Sequence, residues 1–296
     1  MKVVLGFSGG VDSAVCAALL RRAGREVVGV YLDNTDEKAR QDAVDTAAFL
    51  SIPLEIVPIA AELEEKVCAP FCASYLRGET PNPCILCNPA VKFKTLLAIA
   101  DRLGAEAIAT GHYARAEGGA LYKGRPSNDQ SYMLCRLRRE QLSRLVLPLG
   151  GLEKRETRAL AEQFELPVAH KKDSMEICFI PDKDYVGWMS LRGPLPPPGD
   201  FIFHGQLVGR HEGVFNWTVG QRIPGLHEGR KLYVARIDAE TNRIELALWE
   251  EPACTATPQS DGSVRIECDE PVRAPAPGQS AVLYDGERVL GGGFIV

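Results

Sequence analysis

Hydrophobic and polar positions follow two different periods along this chain. Val3, Val4 and Leu5 form a short apolar run that reads as a buried parallel strand. Ala14, Val15, Ala17, Ala18, Leu19 and Leu20 then predict a helix that stops at Ala23-Gly24. Residues 26–32, 53–59 and 105–109 read as further strands, and 36–50 as a helix between two of them. Alternation of this kind with short connections predicts an α/β fold, a doubly wound parallel sheet that binds ligands at the carboxyl ends of its strands. A helix is predicted from Pro89 through Val91, Phe93, Leu96 and Leu97, with Asn88 as its cap and Pro89 in its first position. From residue 231 the period shortens to two. Segments 232–237, 243–248, 264–268, 280–284 and 288–296 read as strands, with Asp285-Gly286 as a hairpin turn. A small mixed region holding the stiff proline run 194–198 separates the two patterns. The expected division is 1–165, 166–228 and 229–296.

Composition narrows the class. The chain has 296 residues, 45% hydrophobic and 25% charged, long enough for more than one core. No apolar run approaches the ~20 residues of a membrane span, and Met1-Lys2-Val3 leads directly into the first strand, so a cytoplasmic protein without a signal peptide is expected. Nine cysteines scattered through such a chain read as reduced thiols, not a disulfide framework. The net charge of −5 argues against nucleic acid, but it is uneven. Between Arg136 and Lys172, nine basic and five acidic residues leave +4. That is either an electrostatic footprint for RNA or an ordinary solvated helix surface.

Chemistry concentrates in a few stretches. Gly6-Phe7-Ser8-Gly9-Gly10-Val11-Asp12-Ser13 occupies the turn between the first strand and the first helix. Unpaired amides, a helix dipole and the absence of side chains at the glycines suit a phosphate there. No Gly-Lys-Ser/Thr follows, so the Walker signature is missing. Thr110-Gly111-His112-Tyr113 falls at the same carboxyl edge, where His112 is either functional or a hydrogen-bonded structural histidine. In Gly78-Glu79-Thr80-Pro81-Asn82-Pro83-Cys84-Ile85-Leu86-Cys87-Asn88-Pro89 the prolines and asparagines predict a loop. Cys87 would then sit just before a helix N-terminus, whose dipole favours the thiolate. Cys178 follows the basic stretch in an apolar setting and reads equally as core or as a reactive thiol. Cys68 and Cys72 stand four apart on a predicted helix and read as packing with Leu63, Phe71 and Tyr75. Cys16, Cys135, Cys254 and Cys268 read as core.

The stretch Ser8 to Ser13 resembles the pyrophosphatase loop of enzymes that split ATP into AMP and pyrophosphate. Asn82-Pro83-Cys84-Ile85-Leu86-Cys87-Asn88 with Lys92-Phe93, Thr110-Gly111-His112-Tyr113, Asp129-Gln130-Ser131-Tyr132 and Ile177-Cys178-Phe179-Ile180 narrow the likeness. So do Trp217-Thr218-Val219-Gly220-Gln221-Arg222, Pro277-Gly278-Gln279-Ser280-Ala281-Val282 and Leu290-Gly291-Gly292-Gly293. In this order they resemble the tRNA-specific 2-thiouridylases of the MnmA type over nearly the whole chain.

The resemblance implies a catalytic ATP-binding domain, a small central domain that contacts tRNA and a C-terminal β-barrel, here reduced. It implies ATP-dependent 2-thiolation of the wobble uridine, with adenylation of the uracil C2 oxygen, release of pyrophosphate, sulfur transfer and loss of AMP. By the same resemblance Gly6, Phe7, Ser8, Gly9, Gly10, Val11, Asp12, Ser13, Leu32 and Gly111 surround ATP, and Asp12 helps hold Mg2+. Asn82, Pro83 and Cys84 lie near the target base, while His112, Asn128, Asp129, Gln130 and Gln279 contact the tRNA. Cys178 carries a persulfide sulfur delivered by a cysteine desulfurase or a sulfur relay. Cys87 frees that sulfur and forms a transient disulfide with Cys178. An alternative has Cys84, Cys87 and Cys178 holding three irons of a [4Fe-4S] cluster. Outside this family, the loop fits another ATP pyrophosphatase acting on a different tRNA base or a small molecule, or a non-catalytic tRNA-binding or sulfur-carrier protein. The chain departs from the family at Asn128 and Ile223, where lysine is usual, at Glu176, where glycine is usual, and in a segment missing between Leu248 and Val264. Three of these remove positive charge from the expected RNA face.

Overall fold

The computed structural model describes residues 1–172, 177–180, 184–227, 231–248, 254–259, 263–268 and 276–296. The chain forms two compact units. The first comprises Met1–Ala69, Pro83–Phe179 and Ala281–Gly293; the second comprises Pro70–Asn82, Ile180–Ser280 and Phe294–Val296.

In the first unit the strands are β1 (Lys2–Gly6), β2 (Glu26–Asp33), β3 (Leu54–Pro58), β4 (Ala107–Ala109), β5 (Ala114–Glu117), β6 (Ala120–Lys123) and β7 (Leu145–Val146). Five of them make a wholly parallel sheet in the order β3-β2-β1-β4-β7. Val3, Val4 and Leu5 of the central strand are completely buried, as a strand covered on both faces requires. Helix α1 (Val11–Arg22) ends before Gly24, which takes the left-handed conformation with φ 71°. Helix α2 (Glu37–Phe49) starts where Asp36 accepts the amide of Ala39. Phe7, Val15, Tyr31, Ala43 and Leu149 belong to the core around these elements. Strand β4 is shorter than the expected 105–109 because the amide of Ala105 closes the preceding helix on the carbonyl of Ala100.

The predicted helix start at Pro89 is corrected. A single helix spans Pro83–Arg102, and we call it the cysteine helix. Pro83 takes its first position, where a missing amide costs nothing. Pro89 lies inside it, in a π-helical segment, Asn88–Lys92. The wider turn relieves the clash between a proline ring and the carbonyl four residues back. Asn88 therefore caps nothing; its Nδ2 donates to the carbonyl of Met133 at 2.8 Å. By length and composition alone this helix could cross a membrane. Ile85, Val91, Phe93 and Leu96 are nevertheless fully buried in the first unit, the pattern of a core helix.

The second unit contains β8 (Gly199–Phe203), β9 (Gln206–His211), β10 (Arg222–His227), β11 (Lys231–Asp238) and β12 (Arg243–Ala247), ordered β10-β11-β12-β8-β9. Only β12 and β8 run parallel. Its core gathers Phe201, Val214, Leu232, Val234, Ile244 and Ile223. Ile223 is 2% exposed, so the sequence reading of it as a charge lost from a surface is corrected. Strands β13 (Cys254–Pro258) and β14 (Val264–Cys268) pair as a hairpin. The last strands, β15 (Ser280–Asp285) and β16 (Arg288–Phe294), turn at Asp285-Gly286 as expected, with Gly286 at φ 56°. They complete a second sheet in the first unit, ordered β15-β16-β6-β5. Cys16, Cys68 and Cys135 are buried, as read from the sequence. The side chains of Cys254 and Cys268, residue Glu176 and most of the shortened segment lie outside the described residues.

Candidate functional site

The glycine loop joins β1 to α1 at the carboxyl edge of the parallel sheet. Gly9 has φ 68°, and a Cβ there would come within 2.5 Å of the backbone of Ala43 in α2. This glycine is demanded by close packing as well as by backbone conformation. Gly6 and the buried Phe7 anchor the loop from below, the amide of Phe7 donating to Val30 at 2.8 Å. Gly10 precedes α1 without a side-chain cap, so first-turn amides face the edge. The hydroxyls of Ser8 and Ser13 lie 3.3 Å apart, and that of Ser13 also donates to the carbonyl of Gly10. Val11 is buried, whereas Leu32, near the end of β2, is half-buried.

Asp12 stands on the first turn of α1 and does not point freely to solvent. Lys154 Nζ reaches its two carboxylate oxygens at 2.7 and 2.8 Å, and Tyr113 Oη donates to Oδ1 at 2.7 Å. Burial, reinforced by Asp12, raises the phenol's pKa and keeps it a donor. Gly111 brings the strand β4 edge against this point, since a Cβ on it would meet that of Asp12 at 3.1 Å. Lys154 and Tyr113 are functional candidates that the sequence reading did not select. The available signal was a lysine opening the helix Lys154–Gln163 just after Gly150-Gly151. It was hidden inside the stretch read as a basic surface. Several cations of that stretch have partners within the fold. Lys154 holds Asp12, Arg144 pairs with Asp101, Lys171 with Asp42, and Arg158 donates to the carbonyls of Ala169 and Lys171.

Cys84 and Cys87 lie three residues apart on the cysteine helix, while Asn34 Nδ2, just past β2, donates to the backbone carbonyl of Cys178 at 2.8 Å. All three are free thiols. Because Cys87 is inside a helix, the dipole argument for an acidic thiol fails: burial pushes its pKa up, with Lys92 acting against that. Burial pushes the Cys178 thiol up to about 11, again with Lys92 opposing and with Cys87 and Cys84 adding to the rise. By its accessible surface Cys178 is an exposed residue. The three thiols and Lys92 thus share one neighbourhood. Among the described residues, however, no three His, Cys, Asp or Glu side chains gather closely enough to hold a metal ion. His112 stacks on Phe93, with ring centres 6.1 Å apart, and its Nδ1 lies 2.8 Å from Thr110 Oγ1. Burial and Lys92 hold its pKa well below the usual range, so it is neutral.

The side chains of Asn128, Asp129 and Gln130 are turned into the fold. Asn128 Nδ2 donates to the Leu152 carbonyl, and Gln130 Oε1 accepts the amide of Tyr113 at 3.0 Å. Asp129 accepts the amides of Gly124 and Ser131 and the Ser131 hydroxyl. In the second unit, Pro277 and Gly278 build a type II turn that ends at the exposed Gln279, with Gly278 at φ 85°. The amide of Thr80 donates to Pro277 at 2.8 Å, which puts this turn beside the strand of chain leading to Asn82. Pro83 is buried at the start of the cysteine helix.

Comparison with known proteins gives this arrangement its family. Residues 1–182 match the model described as tRNA methyl transferase HUP domain, 196–247 the tRNA methyl transferase PRC-barrel domain, and 241–295 the aminomethyltransferase beta-barrel domain. The tRNA-specific 2-thiouridylase MnmA of Syntrophotalea carbinolica is 39% identical over 344 residues, covering 99% of this chain and 98% of that protein. The tRNA-specific 2-thiouridylase MnmA 1 of Caldanaerobacter subterraneus subsp. tengcongensis is 40% identical over 354 residues, covering 99% and 97%. A solved structure titled as a predicted subunit of tRNA methyltransferase from Methanocaldococcus jannaschii is similar over 55% of this chain and 76% of its own, at 20% identity and a TM-score of 0.39. With such identity along nearly its whole length, and with 296 residues against alignments of 344 and more, this chain belongs to the tRNA-specific 2-thiouridylase MnmA family as a short member.

Proposed function

We propose that this chain 2-thiolates the wobble uridine of tRNA in an ATP-dependent reaction that releases pyrophosphate and AMP. One observation carries the reading: the glycine loop, the Asp12–Lys154 pair and the thiols of Cys87 and Cys178 occur together in one compact unit of an MnmA-family chain. A uracil C2 oxygen is a poor leaving group, and joining it to AMP makes it a good one. The amides at Gly9, Gly10 and Val11, with the hydroxyls of Ser8 and Ser13, receive the phosphates, and Gly111 leaves room beside Asp12. The Lys154 ammonium stabilises charge that develops on the departing pyrophosphate. A single carboxylate together with substrate phosphates and water suits Mg2+, so Asp12 is the residue to carry it, and the ion would neutralise further phosphate charge.

Asn82, Pro83 and Cys84 flank the extruded base. His112, Gln279 and the turn Asn128–Asp129–Gln130 contact the tRNA, the last chiefly through backbone because its side chains are engaged within the fold. The outer sulfur of a Cys178 persulfide, delivered by a cysteine desulfurase or a relay protein, bonds to C2 as AMP leaves. Cys87 then attacks the Cys178 sulfur, the S–S bond to the delivered sulfur breaks, and a Cys87–Cys178 disulfide remains for a thiol reductant to open. As they stand, the three cysteines do not form a metal site, and no step is routed through an iron–sulfur cluster. Nucleoside mass spectrometry of tRNA incubated with the protein, ATP, Mg2+ and a desulfurase tests the reading. It requires 2-thiouridine with AMP and pyrophosphate; formation of ADP and inorganic phosphate would overturn it.

A further inference from the structure

A base drawn out of a stacked anticodon loop exchanges its neighbours for whatever flat surface the protein provides. The turn Ser131–Leu134 carries such a surface. Ser131 and Leu134 are buried, at 0% and 1% exposure, and fix the turn from within. Its Met133 carbonyl accepts from Asn88 Nδ2 at 2.8 Å, which fastens it to the cysteine helix, and the turn packs directly on the Pro83–Cys87 segment. Between these anchors Tyr132 is 37% exposed. Among the described large apolar side chains only two aromatics are exposed, Phe49 on α2 and Tyr132. Tyr132 is the one on the turn that packs against the Cys84-bearing segment, and burial first, then the charge of Cys84, raises the pKa of its phenol. The mechanism above leaves this ring unused.

We infer that Tyr132 is a base-stacking residue, its ring covering one face of the target uracil while C2 faces Cys84 and the sulfur-carrying thiols. The inference rests on the proposed function, since it needs a nucleobase as substrate. A ring held on a short turn with two buried flanking residues loses little freedom on binding, which suits a platform. The hydroxyl is not required for stacking, because the contact is between π faces.

The test measures tRNA affinity and 2-thiolation for the full chain and for Tyr132→Phe, Tyr132→Leu and Tyr132→Ala. Two tRNAs are compared, one with uridine and one with an abasic residue at the target position. Tyr132→Ala is expected to weaken binding of the uridine tRNA and lower kcat/KM by about 5- to 150-fold, the loss that removing one aromatic–base stack produces. Tyr132→Leu falls between, and Tyr132→Phe stays within about twofold of the unmodified chain. On the abasic tRNA all four bind alike, an outcome a merely structural role of Tyr132 would not give. Equal activity of Tyr132→Ala, an equal penalty on both tRNAs, or damage by Tyr132→Phe as large as by Tyr132→Ala would each overturn the stacking role. Absence of 2-thiouridine with the unmodified chain would instead remove the proposed function, and this inference with it.

Discussion

At the scale of single residues, Lys154 is the side chain whose role the geometry defines most sharply. It meets both oxygens of Asp12 although 142 residues separate them. Its replacement by methionine keeps the stem and removes the charge. Lys154→Met is expected to lower the rate of adenylation by about 10²–10³, the usual consequence of losing one preorganised charge-stabilising donor. The pair is about a third exposed, so unfolding free energy should change by no more than about 1 kcal/mol. AMP release and denaturant unfolding, measured together, check both halves; normal AMP release would remove Lys154 from the reaction. A second prediction concerns Cys178. Burial pushes its thiol up to about 11, so the reactive thiolate is scarce at neutral pH and grows as pH rises. Alkylation of Cys178, followed by peptide mass spectrometry, should accelerate about tenfold per pH unit up to about pH 10. Acceleration that levels off before about pH 9 would show an acidic thiol instead. Lys92→Met should slow the reaction at any given pH below that range, since Lys92 is the cation acting against burial at both Cys87 and Cys178.

At the scale of elements, the cysteine helix shows where a sequence pattern stops being readable. The residues from Phe93 to Leu97 gave the right helix, but Pro89 looked like its beginning because proline is common in a first turn and costly further in. The π segment Asn88–Lys92 removes that cost, and nothing in local sequence announces a π turn. The consequence reached the chemistry, since Cys87 moved from a helix N-terminus to a half-buried position inside a helix and its pKa direction reversed. By contrast, the glycine loop, the hairpin at Asp285-Gly286 and the parallel sheet were legible, because glycine backbone demands and buried apolar runs are local signals. The Asp12–Lys154–Tyr113 cluster was not, because tertiary contact alone brings its members together. Asn88 is the joint between the cysteine helix and the turn at Met133, and it is 1% exposed. Asn88→Ala should cost about 1–3 kcal/mol, because the carbonyl of Met133 is left without its donor. Chemical denaturation measures it; a change below about 0.5 kcal/mol would mean that the joint is replaceable.

At the scale of the whole molecule, charge decides how an acidic chain handles a polyanion. The excess of +4 between Arg136 and Lys172 suggested a cationic face, yet Arg144, Lys154, Arg158 and Lys171 are held by internal partners. Ile223 is core, so Ile223→Lys would place an unpaired charge among Phe201, Val214 and Leu232. It should destabilise the second unit by several kcal/mol without strengthening tRNA binding. Asn128 is different. It is half-buried on a turn, where its amide donates to the carbonyl of Leu152 at 3.4 Å and accepts at 2.9 Å from the hydroxyl of Ser127, which is itself exposed to solvent. A lysine there can reach solvent and a phosphate without leaving a buried group unpaired. Each phosphate neutralised releases counterions, so the slope of log affinity against log salt steepens by about 0.9 per contact on duplex nucleic acid and about 0.7 on a single strand. Asn128→Lys should therefore steepen the slope by about one unit and raise affinity at low salt, whereas Ile223→Lys should do neither. Titrations of the three chains with the same tRNA across a salt series read this directly. An unchanged slope for Asn128→Lys would mean that this turn does not approach the phosphate backbone, and a steeper slope for a folded Ile223→Lys would mean that its lysine escapes the core.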